Sequence, residues 1–421
     1  MVAYKTILRD CIDRRPAGMR ARIADAQGKH KSFVSQLTNP IYPMPLPARH
    51  PRCTPRHCVG DGDPTSPCGV LSRNRDRLAS RWRIIAAMAN PLRWSAIAEN
   101  VSSPVAVASG ERRVTVFCRG PAGELLVIVG ESGEYQPPSS LGVPLARDGK
   151  TTVPVDWPVG ACATGPGEIQ LVACGPEGEL LHGTLRGTEW GGFESIGSPA
   201  AWFGPVGVPM GLTSAPVACS LLPGIMDVFA LGASGVLLHS PWDGKEFAEF
   251  ESLGGVATEG GPDSPVLPPI SATACGVRSI AIATRGARGD LLVRWWDGMK
   301  WTPFASLGFG AEPDQLYPAV KVPAPLSGAP VCAGGGSTRL DVFARGQRGD
   351  LLHRWWDGKG WTGFESVGCP ATPEGALIPF SSASIACAWG KFQLEVFARA
   401  SDGKLYAATW SGSGPVAPPQ A

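Results

Sequence analysis

One unit of sequence recurs six times along this chain, and this repetition constrains the fold more than any other feature. The clearest copy reads APVCAGGGSTRLDVFARGQRGDLLHRWWDGKGWTGFESVG over Ala329–Gly368, and Ile280–Gly308 nearly duplicates part of it. Weaker copies keep the same order. Equivalent positions recur every 54 to 60 residues, and they are Phe117, Val172, Phe229, Ala283, Phe343 and Phe397. A fixed period of this length indicates an architecture built from repeated supersecondary units.

Each unit contains four short stretches with strand character. In the clearest copy these are PVCAG, LDVFARG, DLLHRWWDG and WTGFESVG. Gly349 with Asp350 separates the second stretch from the third, and Asp357 with Gly358 separates the third from the fourth, where hairpins need residues that tolerate positive φ. Four antiparallel strands per unit, repeated, predict an all-β chain folded as a β-propeller.

The two ends of the repeat region complement each other. The sixth unit lacks its fourth strand, whereas residues 93–100 (RWSAIAEN) match a fourth strand with no first three before them. We therefore expect the N-terminal strand to complete the last blade, which closes the ring and leaves no open sheet edge. The sequence predicts six four-stranded blades.

The chain ahead of the repeats has a different composition. Residues 1–87 hold 16 Lys and Arg against 6 Asp and Glu, whereas the rest holds 22 against 30. The leader lacks a charged segment followed by a long apolar run, so no secretion signal is expected. Clustered prolines would break any amphipathic helix within it. We interpret residues 1–87 as disordered or mis-annotated, with the true start at Met88, and residues 88–421 as the propeller domain.

Charge and hydropathy limit the classes of partner that the chain is expected to bind. The acidic repeat region argues against a nucleic-acid partner, because non-specific affinity for phosphates needs clustered Lys and Arg. No run of about 18 apolar residues occurs, so membrane insertion is not expected. Oligomeric state is left open.

Cysteines mark the first strand of five successive units, and Val107 takes that place in the remaining one. The innermost strands of a propeller converge on its axis, where small apolar side chains pack well. Equivalent residues of separate blades lie too far apart for disulfides. We therefore predict a ring of reduced core cysteines, without metal, and a cytoplasmic location or release without a signal peptide. These cysteines are Cys162, Cys219, Cys275, Cys332 and Cys387.

Candidate binding residues concentrate at the end of the third strand and the start of the fourth. An indole plane beside Asp, His or Arg offers an apolar platform to the C–H face of a sugar, while the polar neighbours bind its hydroxyls. Packing between blades is the alternative role for any one of these tryptophans. The candidates are His239, Trp242, Asp243, Arg294, Trp295, Trp296, Asp297, Trp301, His353, Arg354, Trp355, Trp356, Asp357 and Trp361.

The stretch LDVFARGQRGDLLHRWWDGKGWTGFESVG resembles the repeat of the PLL-like β-propeller lectins. The resemblance covers residues 93–412 and is strongest in the fourth and fifth units. It implies binding of fucose or related O-methylated sugars in pockets between blades, without a metal ion or other cofactor. Two departures stand out. The best-known members have seven blades, which is the alternative to six here, and Leu185 and Gly130 replace the aromatic residue found at Trp356.

Other functions fit the sequence less well. A repeated unit does not form the singular cluster of acid, base or nucleophile that an enzyme needs. The motif Ser-x-Asp-x-Gly-x-Thr-Trp of sialidase propellers does not occur, nor does GxSxG, HExxH or a phosphate-binding loop. We therefore predict a non-enzymatic, metal-independent and multivalent lectin whose partners are glycans or glycoproteins. A protein-interaction scaffold is the alternative.

Overall fold

A computed structural model describes most of the repeat region. The described residues are 92–102, 104–110, 113–131, 133–145, 150, 152, 159–203, 206–209, 211–256, 264–275, 279–313, 321–334, 339–382, 385–388 and 393–411. The interpretation of residues 1–87 and the start at Met88 lie outside these ranges and stay predictions.

The described residues form a six-bladed propeller, which confirms the predicted count and not the seven-bladed alternative. The first strand, β1 (Trp94–Ala98), belongs to the last blade. Blade 1 contains β2 (Pro104–Gly110), β3 (Arg113–Arg119), β4 (Leu125–Glu131) and a split outer strand, β5 (Glu134–Tyr135) and β6 (Ser139–Ser140). Blade 2 contains β7 (Gly160–Gly165), β8 (Glu168–Cys174), β9 (Leu180–Arg186), β10 (Glu189–Trp190) and β11 (Glu194–Gly197). A hairpin, β12 (Ala200–Phe203) and β13 (Val206–Pro209), follows it.

The remaining blades repeat this plan. Blade 3 contains β14 (Val217–Cys219), β15 (Met226–Leu231), β16 (Leu237–Trp242) and β17 (Glu251–Gly254). Blade 4 contains β18 (Ser271–Ala274), β19 (Ile280–Arg285), β20 (Leu291–Trp296) and β21 (Ala305–Ser306), followed by a hairpin of β22 (Gly310–Pro313) and β23 (Lys321–Ala324). Blade 5 contains β24 (Val331–Gly334), β25 (Leu340–Arg345), β26 (Leu351–Trp356) and β27 (Glu365–Gly368). Blade 6 contains β28 (Ile385–Ala388), β29 (Gln393–Arg399), β30 (Leu405–Ser411) and β1.

The ring closes through β1, as predicted. This strand pairs antiparallel with β30, with Trp94 opposite Ala408 and Ala98 opposite Leu405. The innermost strands contact one another in the order β2, β7, β14, β18, β24 and β28, and β28 contacts β2 again. Closure therefore covers the edge that β30 would otherwise expose.

The predicted turn between the second and third strands is also confirmed. In blade 5, β25 and β26 pair antiparallel with Leu340 opposite Trp356. The chain reverses between Gly346, whose N–H donates to the carbonyl of Asp350 at 2.9 Å, and Asp350 itself. Gly349 has a φ of +77°, a conformation in which a side chain is strained. This register fixes which side chains of each blade share a face.

The core lies between neighbouring blades. Large apolar side chains at the repeated position of the second strand are fully buried, among them Phe117, Phe229, Phe343 and Phe397. Cys162, Cys219, Cys332 and Cys387 lie in the first strands, as the sequence predicted, whereas Cys275 lies directly after β18 and not within it. The described thiols are free of disulfides. Burial raises the pKa of Cys162 and Cys332 to about 12, so both stay protonated and act as small apolar core residues.

Two features were not predicted from the sequence. The hairpins β12–β13 and β22–β23 lie between consecutive blades. The second is anchored to blade 5, because the Glu312 carboxylate accepts a hydrogen bond from the backbone N–H of Gln347 at 2.5 Å and lies 3.6 Å from Nε of Arg348. Within the described ranges the only helical element is one 3₁₀ turn, Ala233–Gly235, so no helix there is long enough to cross a membrane.

Candidate functional site

The paired tryptophans that end β20 and β26 point to opposite faces of their blades, as strand alternation predicts. Trp295 faces blade 5, where its ring centroid lies 6.1 Å from that of Trp361. Trp296 packs instead against the core between blades 3 and 4, 5.6 Å from Trp301. Trp356 packs into the core between blades 4 and 5. The fourth and fifth blades thus bring indoles from both sides to a shared boundary.

A cavity of about 360 Å³ opens at this boundary, and we call it the 4/5 cleft. Its volume lies within the range of small-molecule sites. Five of the predicted residues line it, namely Trp295, Trp296, Asp297, Trp356 and Trp361. Four further lining residues were not predicted, namely Cys275, Ser279, Arg339 and Leu340. The cleft therefore combines indoles from both blades with polar lining residues, among them Ser279 and Asp297.

Arg339 is a charged lining residue that the repeat comparison missed. It directly precedes β25, and its Nε and Nη2 each donate to a carboxylate oxygen of Asp341 at 2.7 Å. Its Cζ lies 5.4 Å from the ring centroid of Trp355. Two parallel hydrogen bonds and an aromatic face fix the plane of a guanidinium better than a single contact does. An Arg two residues ahead of a buried Asp was the available sequence signal.

The histidines of the third strand lie inside the blades and not in the 4/5 cleft. His353 is 4% exposed; its Nε2 lies 2.8 Å from Oδ1 of Asp341, and its Nδ1 lies 3.3 Å from Oε1 of Glu365. Its ring stacks on Phe343 with centroids 4.5 Å apart and on Trp355 at 5.0 Å. His353 therefore links three strands of blade 5 through one ring.

His239 repeats this arrangement in blade 3. Its Nε2 lies 2.9 Å from Oδ1 of Asp227 and its Nδ1 2.7 Å from Oε1 of Glu251, while the ring stacks on Phe229. Burial alone would lower the pKa of His239, but the hydrogen bonds that its ring makes to the two carboxylates outweigh burial, so the pKa is raised. The protonated ring donates to both carboxylates and holds the second and fourth strands to the third.

The strand arginines tie neighbouring blades together. Nη1 of Arg294 donates to the carbonyl of Leu253 in blade 3 at 2.8 Å. Nη1 of Arg354 donates to the carbonyl of Leu307 in blade 4. The Arg354 guanidinium also lies 5.6 Å from the ring centroid of Trp361, a lining residue of the 4/5 cleft. These contacts hold both arginine side chains between neighbouring blades, on the interior side of the indoles.

The three aspartates that follow the tryptophans stabilise turns. Oδ1 of Asp243, Asp297 and Asp357 accepts hydrogen bonds from backbone N–H groups two and three residues later, at 2.8 to 2.9 Å. These bonds lower the pKa of all three carboxyls, so they stay ionised at neutral pH. Only Asp297 of the three also lines the 4/5 cleft.

Trp242 occupies the equivalent of Trp356 in blade 3, and its surroundings differ. It is 9% exposed, and its ring centroid lies 5.4 Å from that of His182 in blade 2. Together with Asp243 and Phe247 it lines a separate hollow of about 340 Å³ on blade 3. The predicted residues are thus distributed over several blade boundaries.

Blades 1 and 2 carry glycines in the third strand where blades 4 and 5 carry larger side chains. Tyr135 lies over Gly130, where an added Cβ would be 2.6 Å from its ring. Trp190 lies over Gly183 at 2.5 Å in the same way. In both blades the aromatic residue that opens the fourth strand packs onto a glycine and fills its own boundary.

Metal ligands do not cluster at any of these places. Where the structure describes side chains, no group of three or more His, Cys, Asp or Glu is arranged to hold a metal ion.

Comparisons with known proteins agree with the fold. A protein-family profile described as a repeat of unknown function (DUF346) matches residues 340–374, which span the second to fourth strands of blade 5. No curated protein sequence matches the chain.

The solved structures that resemble this chain include the lectin of the fungus Aleuria aurantia. One of its structures, described as a six-bladed β-propeller with a novel fucose recognition mode, is 17% identical with a TM-score of 0.52 and covers 77% of this chain and 95% of its own. A second, a mutant in complex with Fucα1-6GlcNAc, is 17% identical with a TM-score of 0.52 and covers 75% and 93%. The resemblance to propeller lectins is thereby confirmed at the level of the fold.

Proposed function

We propose that this protein is a carbohydrate-binding lectin whose principal site is the 4/5 cleft. The observation that carries the proposal is the lining of that cleft, where Trp295, Trp356 and Trp361 lie beside a cavity that Ser279 and Asp297 also line. A pyranose presents C–H faces and hydroxyls together. Indoles pack against the former, and polar side chains such as those of Ser279 and Asp297 can hydrogen-bond to the latter. No covalent step is required of this site.

Fucose or an O-methylated sugar is the ligand class we propose. The methyl group of such a sugar adds apolar surface that an indole can cover. The Aleuria aurantia lectin, which shares this fold, is described as recognising fucose. The donors and acceptors of the cleft are protein side chains, so we expect binding to need no metal ion.

Multivalency is part of the proposal. The boundary between blades 3 and 4 carries Trp301 beside His239, with centroids 6.0 Å apart, and the boundary between blades 5 and 6 carries Trp355. These positions offer fewer indoles than the 4/5 cleft, so we expect weaker sites there. Several weak sites on one ring can raise avidity on a glycan surface by about 10²- to 10⁴-fold.

A glycan array with the full chain, followed by calorimetry, tests the proposal. We expect signals for fucosylated or O-methylated glycans that persist in a metal chelator. A crystal soaked with fucose should show the sugar between blades 4 and 5. A silent array together with a co-purifying protein would contradict the lectin and support the interaction scaffold.

A further inference from the structure

The hollow on blade 3 is lined by acidic side chains, and we call this cavity the blade 3 hollow. Its volume is about 340 Å³, and Asp227, Asp243 and Glu246 line it together with apolar residues that include Ile225 and Pro241. Among the described residues, no Lys or Arg lines it. Carboxylates of one sign around a small cavity attract a cation.

Asp227 is the most enclosed of these three acids. Its side chain is 13% exposed, and its Oδ1 lies 2.9 Å from Nε2 of His239. No described residue donates a hydrogen bond to its Oδ2, and that atom is not sealed in the interior. Asp243 and Glu246 are exposed, as is Lys245 in the turn between them, so water screens these three charges. Asp227 therefore offers the hollow one carboxylate oxygen that is shielded from most of the solvent.

A guanidinium of the chain itself occupies the equivalent place in blade 5. The strand register makes Ile225 equivalent to Arg339 and Asp227 equivalent to Asp341. Nε and Nη2 of Arg339 each donate to a carboxylate oxygen of Asp341 at 2.7 Å, although Nε2 of His353 also lies 2.8 Å from Oδ1 of that carboxylate. A carboxylate at this position can thus bind a histidine and a guanidinium at once.

Two differences between the repeats leave this place open in blade 3. Ile225 has no group that could donate to the carboxylate, and Pro241 takes the position of Trp355, whose ring centroid lies 5.4 Å from Cζ of Arg339. Ile225 and Pro241 both line the blade 3 hollow. The hollow therefore lies where blade 5 has a guanidinium and an indole, and it keeps the carboxylate that binds the guanidinium.

We propose that the blade 3 hollow binds the guanidinium group of an external ligand, with the chemistry of an arginine side chain, at the position that Arg339 occupies in blade 5. The planar group can donate two parallel hydrogen bonds to Asp227, as Arg339 does to Asp341. The aliphatic stem of such a ligand can pack on Ile225 and Pro241. The inference does not depend on sugar binding in the 4/5 cleft.

Matched ligands test the inference on the full chain. Calorimetry at about 50 mM salt compares the amides of N-acetylarginine and N-acetylcitrulline, which share a planar end group and differ in its charge. We expect the arginine compound to bind about tenfold more tightly, as one charge-assisted hydrogen bond would provide. The amide of N-acetyllysine should bind more weakly than the arginine compound, because an ammonium lacks the fork of donors that matches a carboxylate.

Substitutions at Ile225 assign the binding to the hollow. Ile225→Arg gives blade 3 the residue that blade 5 has at this position, so the chain's own guanidinium should bind Asp227 and abolish binding of the arginine compound. Ile225→Gln is the matched control, because it introduces a polar side chain without a charge at the same position. It should retain the binding.

A second pair of variants applies if Ile225→Arg does not fold. Glu246→Gln removes one carboxylate that lines the hollow and should weaken binding of the arginine compound about two- to fivefold, as an exposed charge pair contributes. Glu249→Gln is its control, because Glu249 is exposed, lies three residues further along the chain and does not line the hollow. It should leave the affinity unchanged.

The outcomes separate this inference from the lectin function. Equal affinities for the arginine and citrulline compounds, or undiminished binding in Ile225→Arg, would overturn the cation site. Equal affinities for the arginine and lysine compounds would overturn its assignment to a guanidinium. None of these results bears on sugar binding, which the glycan array tests by itself.

Discussion

Replacing Trp361 by Ala tests whether the 4/5 cleft binds sugar through its indole walls. Trp361 lines the cavity, lies 6.1 Å from Trp295 between ring centroids and covers the Arg354 guanidinium. Truncating a fully buried Trp costs about 3 to 5 kcal/mol. Trp361 is half-buried, so we expect a loss of about 2 kcal/mol, which for a propeller of roughly 330 residues corresponds to a drop in Tm of about 3 °C. The ring should close all the same.

The expected loss of binding free energy is a larger share of the total binding free energy than the loss of stability is of the free energy of unfolding. An aromatic contact contributes about 1.5 kcal/mol beyond area burial in favourable cases, which is about tenfold in affinity. Calorimetry with the best array ligand and thermal unfolding by circular dichroism measure the two effects separately. Phe247→Ala is the matched control, because Phe247 opens the fourth strand of blade 3 and does not line the 4/5 cleft. Wild-type affinity in Trp361→Ala, or an equal loss in Phe247→Ala, would refute the reasoning.

Three further predictions concern stability. Because the pKa of His239 is raised, its ion pairs stabilise the fold fully below the unfolded pKa of about 6.5, and this contribution is lost as pH rises through the folded pKa. Tm should therefore fall between pH 6 and pH 8.5, and it should fall less in His239→Gln. Parallel curves of Tm against pH for the two proteins would contradict the assignment. A chain beginning at Val101 lacks β1 and should expose the edge of β30, so light scattering should show aggregation that a chain beginning at Met88 does not show. Gly349→Ala places an alanine at a φ of +77° with its Cβ 2.5 Å from Cβ of Pro379, and it should lower the unfolding free energy by about 1 to 3 kcal/mol in a denaturant titration. The control Gly360→Ala, whose added Cβ has no atom within 4 Å, should cost less than about 1 kcal/mol in the same titration.

The repeat predicted most of the architecture because every unit carries the same turn and strand chemistry. The equivalence of Phe229 and Phe343, inferred from spacing, holds in the structure, where each lies opposite a histidine of the third strand. The hairpins β12–β13 and β22–β23 were missed because they interrupt the period. The sequence of each hairpin occurs only once in the chain, so a comparison between repeat units cannot identify it.

The lining of the 4/5 cleft was predicted only in part. Strand alternation separated Trp355 from Trp356 correctly, but it did not indicate which face meets an open boundary. That depends on the neighbouring blade, whose partner side chains are distant in sequence. Histidines often bind ligands, which is why His353 was a candidate, but Asp341 on the adjacent strand holds its ring inside the blade. The comparison between repeats did not identify Arg339, because this residue lies outside the strand pattern and because only one of the aromatic-rich units has an arginine at that position.

The pairing of β1 with β30 joins two segments at opposite ends of the repeat region. During synthesis the ribosome releases β1 about 300 residues before its partner, and at roughly 5 to 20 residues per second this interval lasts from about 15 s to about a minute. Throughout that time the nascent chain holds an unmatched strand at its leading end. We therefore expect synthesis of this protein to depend on chaperones that keep β1 from pairing with another polypeptide until the last blade emerges.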